Sequence, residues 1–230
     1  MKQMIISCAA IAVFTLFFSG CATESNRALV VEQTRASELF YSGPRSTIAV
    51  GNFDNRTSFQ RGIFSDGVDR LGNQAKTILI THLSQTNRFT VLDRGNMEEL
   101  LRESQLSGEE QDLIGASYIV SGDVSEFGRR EVSNYAFFGI LGRGRQQMAY
   151  SRVNLNIVDI RTSAVVFSVS GAGEYMLSDH EVLGFGSSAG YDSMLNGRVL
   201  DLAIREAVDR LAEAIDQGAW VPVPSSMAQK

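Results

Sequence analysis

Histidine, cysteine and lysine are scarce in this chain of 230 residues, and each scarcity closes off a class of function. The two histidines are His82 and His180. His82 falls on a stretch with helical periodicity, where it reads as a partly buried boundary residue. His180 sits between Asp179 and Glu181, a weak metal-ligand set that reads more simply as a solvated turn. Glu109-Glu110 beside Asp112 reads as a solvated helix start. Gly184-Phe185-Gly186 is followed by no lysine, so it lacks the cation of a phosphate-cradling loop. Catalytic, metal-binding and cofactor-binding residues are therefore not expected, and the chain does not read as an enzyme. Beyond Lys2, only Lys76 and Lys230 are lysines, and no basic patch interleaves with aromatics, which argues against nucleic-acid binding. A transmembrane helix is missing too. The longest apolar run, Met4 to Phe18, is 15 residues, whereas a lasting helical anchor takes about 20.

That run has the length of the apolar region of a secretion signal, with Lys2 as the charge before it. It ends in Phe18-Ser19-Gly20-Cys21, which resembles a bacterial lipobox. In a lipobox a large apolar residue and two small ones precede a cysteine whose thiol takes a diacylglyceryl group. Phe18 stands where Leu is usual, and an ordinary signal peptide with a chance cysteine is the competing reading. Lipidation of Cys21 also accounts for the cysteine count, since Cys8 lies inside the signal and no other thiol remains to pair. Ala22 follows Cys21 in place of the Asp that favours inner-membrane retention. The resemblance therefore implies a lipid anchor in the outer membrane, with the main domain in the periplasm. Acyl chains contribute about 0.8 kcal/mol per buried methylene, so a multiply acylated Cys21 would hold firmly.

Removing the signal peptide (residues 1–20) leaves 230 − 20 = 210 residues and moves the net charge from −5 to −6, since Lys2 is the charge lost. That length suffices for one good core. Residues 21–45 read as a lipidated N-terminus and polar tether. Ser46 to Phe53 predicts a buried strand, and Asp54 to Gly67 a loop. Val68, Leu71, Ala75, Ile78, Leu79 and Leu83 mark one face of a helix. Arg88 to Leu92 predicts a second strand. Asn96 with Glu99 has capping-box spacing, and Met97, Leu100 and Leu101 give the helix it opens an inner face. Ala116 to Gly122 predicts a third strand.

The second half is extended, glycine-rich and aromatic. Ser151, Val153, Leu155 and Ile157 alternate with polar residues, and Val165, Phe167 and Val169 do the same beyond Asp159-Ile160-Arg161-Thr162-Ser163, which predicts a hairpin. Tyr135 to Leu141 is the most apolar stretch after the signal, and Gly142-Arg143-Gly144-Arg145 suits a hairpin tip. Leu200, Ile204, Ala207, Val208, Leu211 and Ile215 predict a last helix stopped at Gly218, with residues 222–230 a frayed tail.

The order of these pieces resembles one family. Lipobox, tether, Ile48-Ala49-Val50-Gly51-Asn52-Phe53, a helix ending at Leu83, Asn87 to Arg94, Ala116 to Gly122 and Val153 to Asp159 together resemble the CsgG family. Its members are outer-membrane lipoproteins of curli production, assembly and transport. The resemblance implies an α+β fold: a periplasmic α/β domain like an anticodon-binding domain, over residues 46–221, with β-hairpin extension at about 126–195. In the family those hairpins contribute to an oligomeric β-barrel. It further implies a ring-shaped homo-oligomer, with exported fibre subunits and accessory secretion proteins as partners. Tyr135, Phe137, Phe138, Val153, Leu155 and Ile157 become the membrane- or oligomer-facing hairpin. Two departures follow. The loop that lines the constriction in curli channels carries a Tyr and an Asn-Phe pair, and the matching positions here are Gly62, Asp66 and Gly67, with Phe64 a substitute in a shifted register. The segment Met176 to Tyr191, broken by Gly184, Gly186 and Gly190, is shorter than the family's second membrane hairpin. Two functions stay open: a channel or assembly component for export of extracellular fibre subunits, or a periplasm-facing module that regulates an envelope enzyme such as a peptidoglycan synthase.

Overall fold

The computed structural model describes residues 32–59, 68–135, 143–179 and 189–224. In chain order its elements are α1 (Arg35–Glu38), β1 (Ser46–Asn55), α2 (Arg70–Gln85), β2 (Phe89–Leu92), α3 (Met97–Ser107), β3 (Tyr118–Tyr135), β4 (Arg143–Asp159), β5 (Val165–Asp179) and α4 (Ala189–Asp216). The strands form one mixed sheet in the order β2-β1-β3-β4-β5. β1 pairs in parallel with β2 and β3, while β3, β4 and β5 run antiparallel. This is an α+β domain, and the described strands form an open sheet. The stretch expected to be a hairpin extension supplies three of its five strands.

α2 and α4 cover one face of this sheet. Leu71, Ala75, Leu79 and Leu83 recur every four residues, so they line one side of α2 and are buried with Ile48, Val50 and Phe53. Val199, Leu200, Ala203, Ile204, Ala207, Val208 and Leu211 do the same on α4, against Val153, Leu155 and Ile157. Burying a Leu, Ile or Val side chain contributes about 1.5–3 kcal/mol, so this layer carries most of the favourable free energy. Val68, expected on the same helical face, is exposed and precedes the N-cap Asp69. α4 ends as predicted at Gly218, whose φ of 72° suits a residue without a Cβ.

Three expectations need correction. The tether is shorter than residues 21–45, because the folded unit that contains the sheet begins at Gln33 and Ala36 is buried. The tail is held beyond residue 221: Val223 N–H donates to the Tyr118 hydroxyl at 3.0 Å, and Ser46 Oγ donates to Val223 O at 2.6 Å. Beside it Trp220 stacks on Phe167 and meets Tyr118 edge-on, with centroids 5.8 and 5.3 Å away. Third, α3 buries none of its residues; Leu100 and Leu101, read as an inner face, are exposed. Its capping box does not form either. The Asn96 side chain donates to Asp93 Oδ2 at 2.6 Å, and the helix has no side-chain cap.

Candidate functional site

The open face of the sheet is built by the residues that alternate with the core. Opposite Val153, Leu155 and Ile157, the outward positions of β4 are Arg152, Asn154 and Asn156. Register places Asp123, Asn154 and Ser170 in one row across three strands, and Ser121, Asn156 and Ser168 in the next. These rows are hydrogen bonded: Asn154 Nδ2 donates to Asp123 Oδ1 at 3.1 Å, Ser170 Oγ to Asn154 Oδ1 and Ser168 Oγ to Asn156 Oδ1, both at 2.7 Å. Arg152 pairs with Glu126 at 3.3 Å, and Arg56 reaches Asp123 at 3.6 Å. Such a face suits water, not hydrocarbon. Val153, Leu155 and Ile157 are 0% exposed, so their reading as membrane- or partner-facing is corrected: α4 occupies that face. The sequence period was right, and the covering partner differs.

β3 and β4 stay paired from Tyr118↔Asp159 to Tyr135↔Arg143. β1 pairs with β3 only as far as Val124, so β3 runs 11 residues further, about 36 Å at 3.3 Å per residue. α4 braces the first part of this arm, where Arg129 Nε and Nη2 donate to Asn196 Oδ1 at 3.2 and 2.7 Å. Tyr135 ends β3; Phe137 and Phe138 lie outside the described residues, as do Cys21 and His180.

The loop matched to the family's constriction leaves the sheet at the C-terminal end of β1. Gly62, Phe64, Asp66 and Gly67 lie outside the described residues, but both stems are ordered by side chains. Asp69 accepts from Asn55 N–H at 2.6 Å and from Gly72 N–H at 2.8 Å, tying strand end to helix start. Asn55 is buried; its Oδ1 accepts from Thr57 N–H and Oγ1, and its Nδ2 donates to Phe59 O. Phe59 then packs on Phe127 of β3, centroids 4.6 Å apart, so the loop leaves beside the hairpin arm.

A second polar cluster joins segments remote in sequence. Arg88 is buried; Nε and Nη2 donate to Asp216 at 2.9 and 2.5 Å, and Nη1 donates to Thr86 O and Ala36 O. The ring of Tyr41 covers its guanidinium at 4.9 Å. Nearby, buried Asp209 accepts from Ala36 N–H at 3.1 Å and Arg35 Nε at 3.3 Å; this hydrogen bond, with the Asp209 and Glu206 charges, raises the Arg35 pKa. The N-terminal segment is thus fixed to α4. Arg88 stands in the stretch Asn87–Arg94 that carried the family resemblance, but its partners cannot be read from sequence.

His82 is buried and bonds Asp201 at 2.8 Å through Nε2 and Gln85 at 3.2 Å through Nδ1, joining α2 to α4. Both ring nitrogens are occupied, which is a structural role. Glu109, Glu110 and Asp112 are exposed and follow α3 instead of starting a helix. Among the described residues no group of acidic, His or Cys side chains could hold a metal, and no helix is long and apolar enough to cross a membrane.

A family model described as curli production assembly/transport component CsgG matches residues 32–228. The provisionally named lipoprotein NMB1126/NMB1164 of Neisseria meningitidis serogroup B is 58% identical over 212 residues, 92% of this chain and 95% of that one. Among solved structures, a PelC dodecamer from Paraburkholderia phytofirmans is 17% identical, covering 74% of this chain and 93% of that one, with a TM-score of 0.33. Lipoprotein GNA1162 from Neisseria meningitidis is 14% identical, covering 68% and 96%, with a TM-score of 0.35.

Proposed function

The chain belongs to the CsgG family, and from that premise we propose that it is an outer-membrane lipoprotein, anchored at Cys21, that self-assembles into a channel or assembly component for export of extracellular fibre subunits. The observation that carries this reading is the hairpin arm. The β3–β4 ladder, with one register shift between Val124 and Glu126, carries the chain to Tyr135, about 36 Å beyond β1, and in sequence Tyr135 opens the most apolar stretch after the signal.

Imaging of the detergent-extracted protein tests the assembly: rings are expected, and a uniformly monomeric particle would overturn it. Cys21→Ser should abolish acylation and release the domain, because a hydroxyl cannot replace the thiol in acyl transfer. Labelled palmitate on that variant would refute the anchor. If the loop 60–67 lines a pore, a ring of Asp66 focuses negative potential and favours cations. Planar-bilayer recording should then show cation selectivity that falls in Asp66→Asn; an unchanged selectivity places Asp66 outside the lumen.

The polar open face favours a second reading, a periplasmic module that binds and regulates an envelope enzyme such as a peptidoglycan synthase. The hydrogen-bonded rows of Asp123, Asn154, Asn156, Ser168 and Ser170 keep this face in water, where it is open to a partner protein. A monomer that becomes soluble once Cys21 is replaced, with no conductance, would favour it.

A further inference from the structure

The two outermost strands of the sheet differ as edges. β2 is four residues long and offers a neighbour little to pair with. β5 runs for 15 residues with no proline, lysine or arginine along it, and Glu174 and Asp179 are its charges. The direction of its backbone groups follows from one contact. Arg210 Nη1 donates to Ser170 O at 3.2 Å, so that carbonyl points away from β4. The period of two gives Ala172 and Glu174 the same orientation, and both residues are exposed.

The outward N–H and C=O groups of Ala172 and Glu174 meet a cleft of about 410 Å³, large enough for a short peptide segment. Leu202, Glu206 and Asp209 of α4 and Arg35 of α1 line its other sides. The cleft exists because α4 lies directly on β5. A Cβ at Gly171 or Gly173 would collide with Ala203 O, Ala207 N or Leu202 Cβ. A helix with its side chains is about 10–12 Å across and strands lie about 4.8 Å apart, so α4 overhangs the place of a sixth strand.

That overhang selects the occupant. A row of alternating outward donors and acceptors is matched by another extended backbone. A second copy offering its β5 or β2 would bring its own α4 or α2 into the space that α4 already fills. A bare extended segment carries no helix and fits beneath it. The charges around the cleft pair with one another, Arg35 with Asp209 and Glu206, and Arg210 with Glu206, which leaves recognition to the backbone.

We propose that the β5 edge at Ala172 and Glu174, beneath α4, holds an extended segment of the exported polypeptide as an added strand. This rests on the export reading and names where the passenger is held. Backbone pairing needs an unfolded chain and tolerates many sequences, which suits a passenger in transit.

Full-length protein in detergent and a short, uncharged fluorescent peptide rich in Ser, Thr and Gln test it. Anisotropy should report binding that added salt changes by less than about twofold. N-methylation of every second residue leaves one bonding edge of the peptide intact and should preserve binding. N-methylation of every residue removes both edges and should weaken it about tenfold or more. Ala172→Pro removes an outward N–H without touching the β4 ladder, so it should melt near the parent and bind about tenfold more weakly. The methylated pair needs no variant, so it decides the matter even where Ala172→Pro misfolds. In producing cells, a photo-cross-linker at Leu202 should capture a protein that is also recovered outside the cell. Equal binding of the two methylated peptides, capture of a second copy alone, or no binding by a ring that conducts overturns the proposal and leaves export standing. A parent that neither assembles nor conducts overturns both.

Discussion

Gly171→Val should leave the domain without a docked α4, and with it most of the core. A Cβ at Gly171 would stand 2.1 Å from Ala203 O, 2.5 Å from Ala207 N and 2.9 Å from Ala207 Cβ. Two of these are helix backbone atoms, so no side-chain rotation relieves the clash, and β5 and α4 must separate. Gly173 repeats the condition one pleat along, where a Cβ would lie 2.7 Å from Leu202 Cβ and 2.9 Å from Ala203 N. Overpacking in a core costs about 1–3 kcal/mol, and more where backbone must move. Separating the layers also loosens Leu200, Ile204 and Leu211 from Val153, Leu155 and Ile157. The expected loss exceeds about 3 kcal/mol, a large share of the 5–15 kcal/mol typical of a domain. Gly115→Ala is the control, because a Cβ there meets nothing within 4 Å, and it should stay within about 0.5 kcal/mol of the parent. Urea unfolding of the three proteins decides the matter. A Gly171→Val midpoint close to the parent's would mean that α4 does not lie this tightly on β5.

The second large effect is expected at Arg88. Its guanidinium is buried and makes two bonds to Asp216 and two to backbone carbonyls, under the ring of Tyr41. Removing one member of a buried ion pair costs about 3–5 kcal/mol, because the remaining charge and acceptors lose their partner. Asp216 keeps about a third of its side chain in water, so Arg88→Ala should fall at the lower end, near 3 kcal/mol. Arg88→Lys keeps the charge but not the planar fork that serves carboxylate and carbonyls together, and should recover less than half of the loss. Hydrogen exchange adds a local signature. Arg88 holds Ala36 O and Asp216, so residues 33–41 should lose protection in Arg88→Ala before the sheet does. A stability within about 0.5 kcal/mol of the parent would show the cluster to be incidental.

These two sites mark the boundary of what can be read without coordinates. The period of two at Ser151–Ile157 and the period of four from Leu71 to Leu83 are local, and they gave the strands and helices their place and sides. The β4–β5 turn was equally legible. Asp159 accepts from Arg161 N–H and from Thr162 N–H and Oγ1, and these bonds, the Thr162 backbone first, hold its carboxyl below the usual range. The lipobox-like junction at Cys21 and the family-like order of pieces are linear patterns too, which is why the family could be named from them.

What local pattern leaves undetermined is the identity of the partner on the far side of a face. An alternating strand shows that one side must leave water, and lipid, a second copy or a helix of the same chain satisfies that demand equally. At Val153, Leu155 and Ile157 only the approach of α4 over Gly171 and Gly173 decides for the core. At Leu100 and Leu101 the same kind of stripe meets no such neighbour, and an expected inner face lies bare. Arg88 and Asp216 are 128 positions apart, and Ala36 and Asp209 are 173 apart. Each reads as an ordinary charged or small residue until folding brings the two together. The sequence alone thus determined the main strands and the two long helices and which of their sides shed water, but neither the short helix Arg35–Glu38 nor the exposure of α3. Tertiary structure alone decided what each side meets, because burial requires only an apolar partner, while the geometry of closure selects which one.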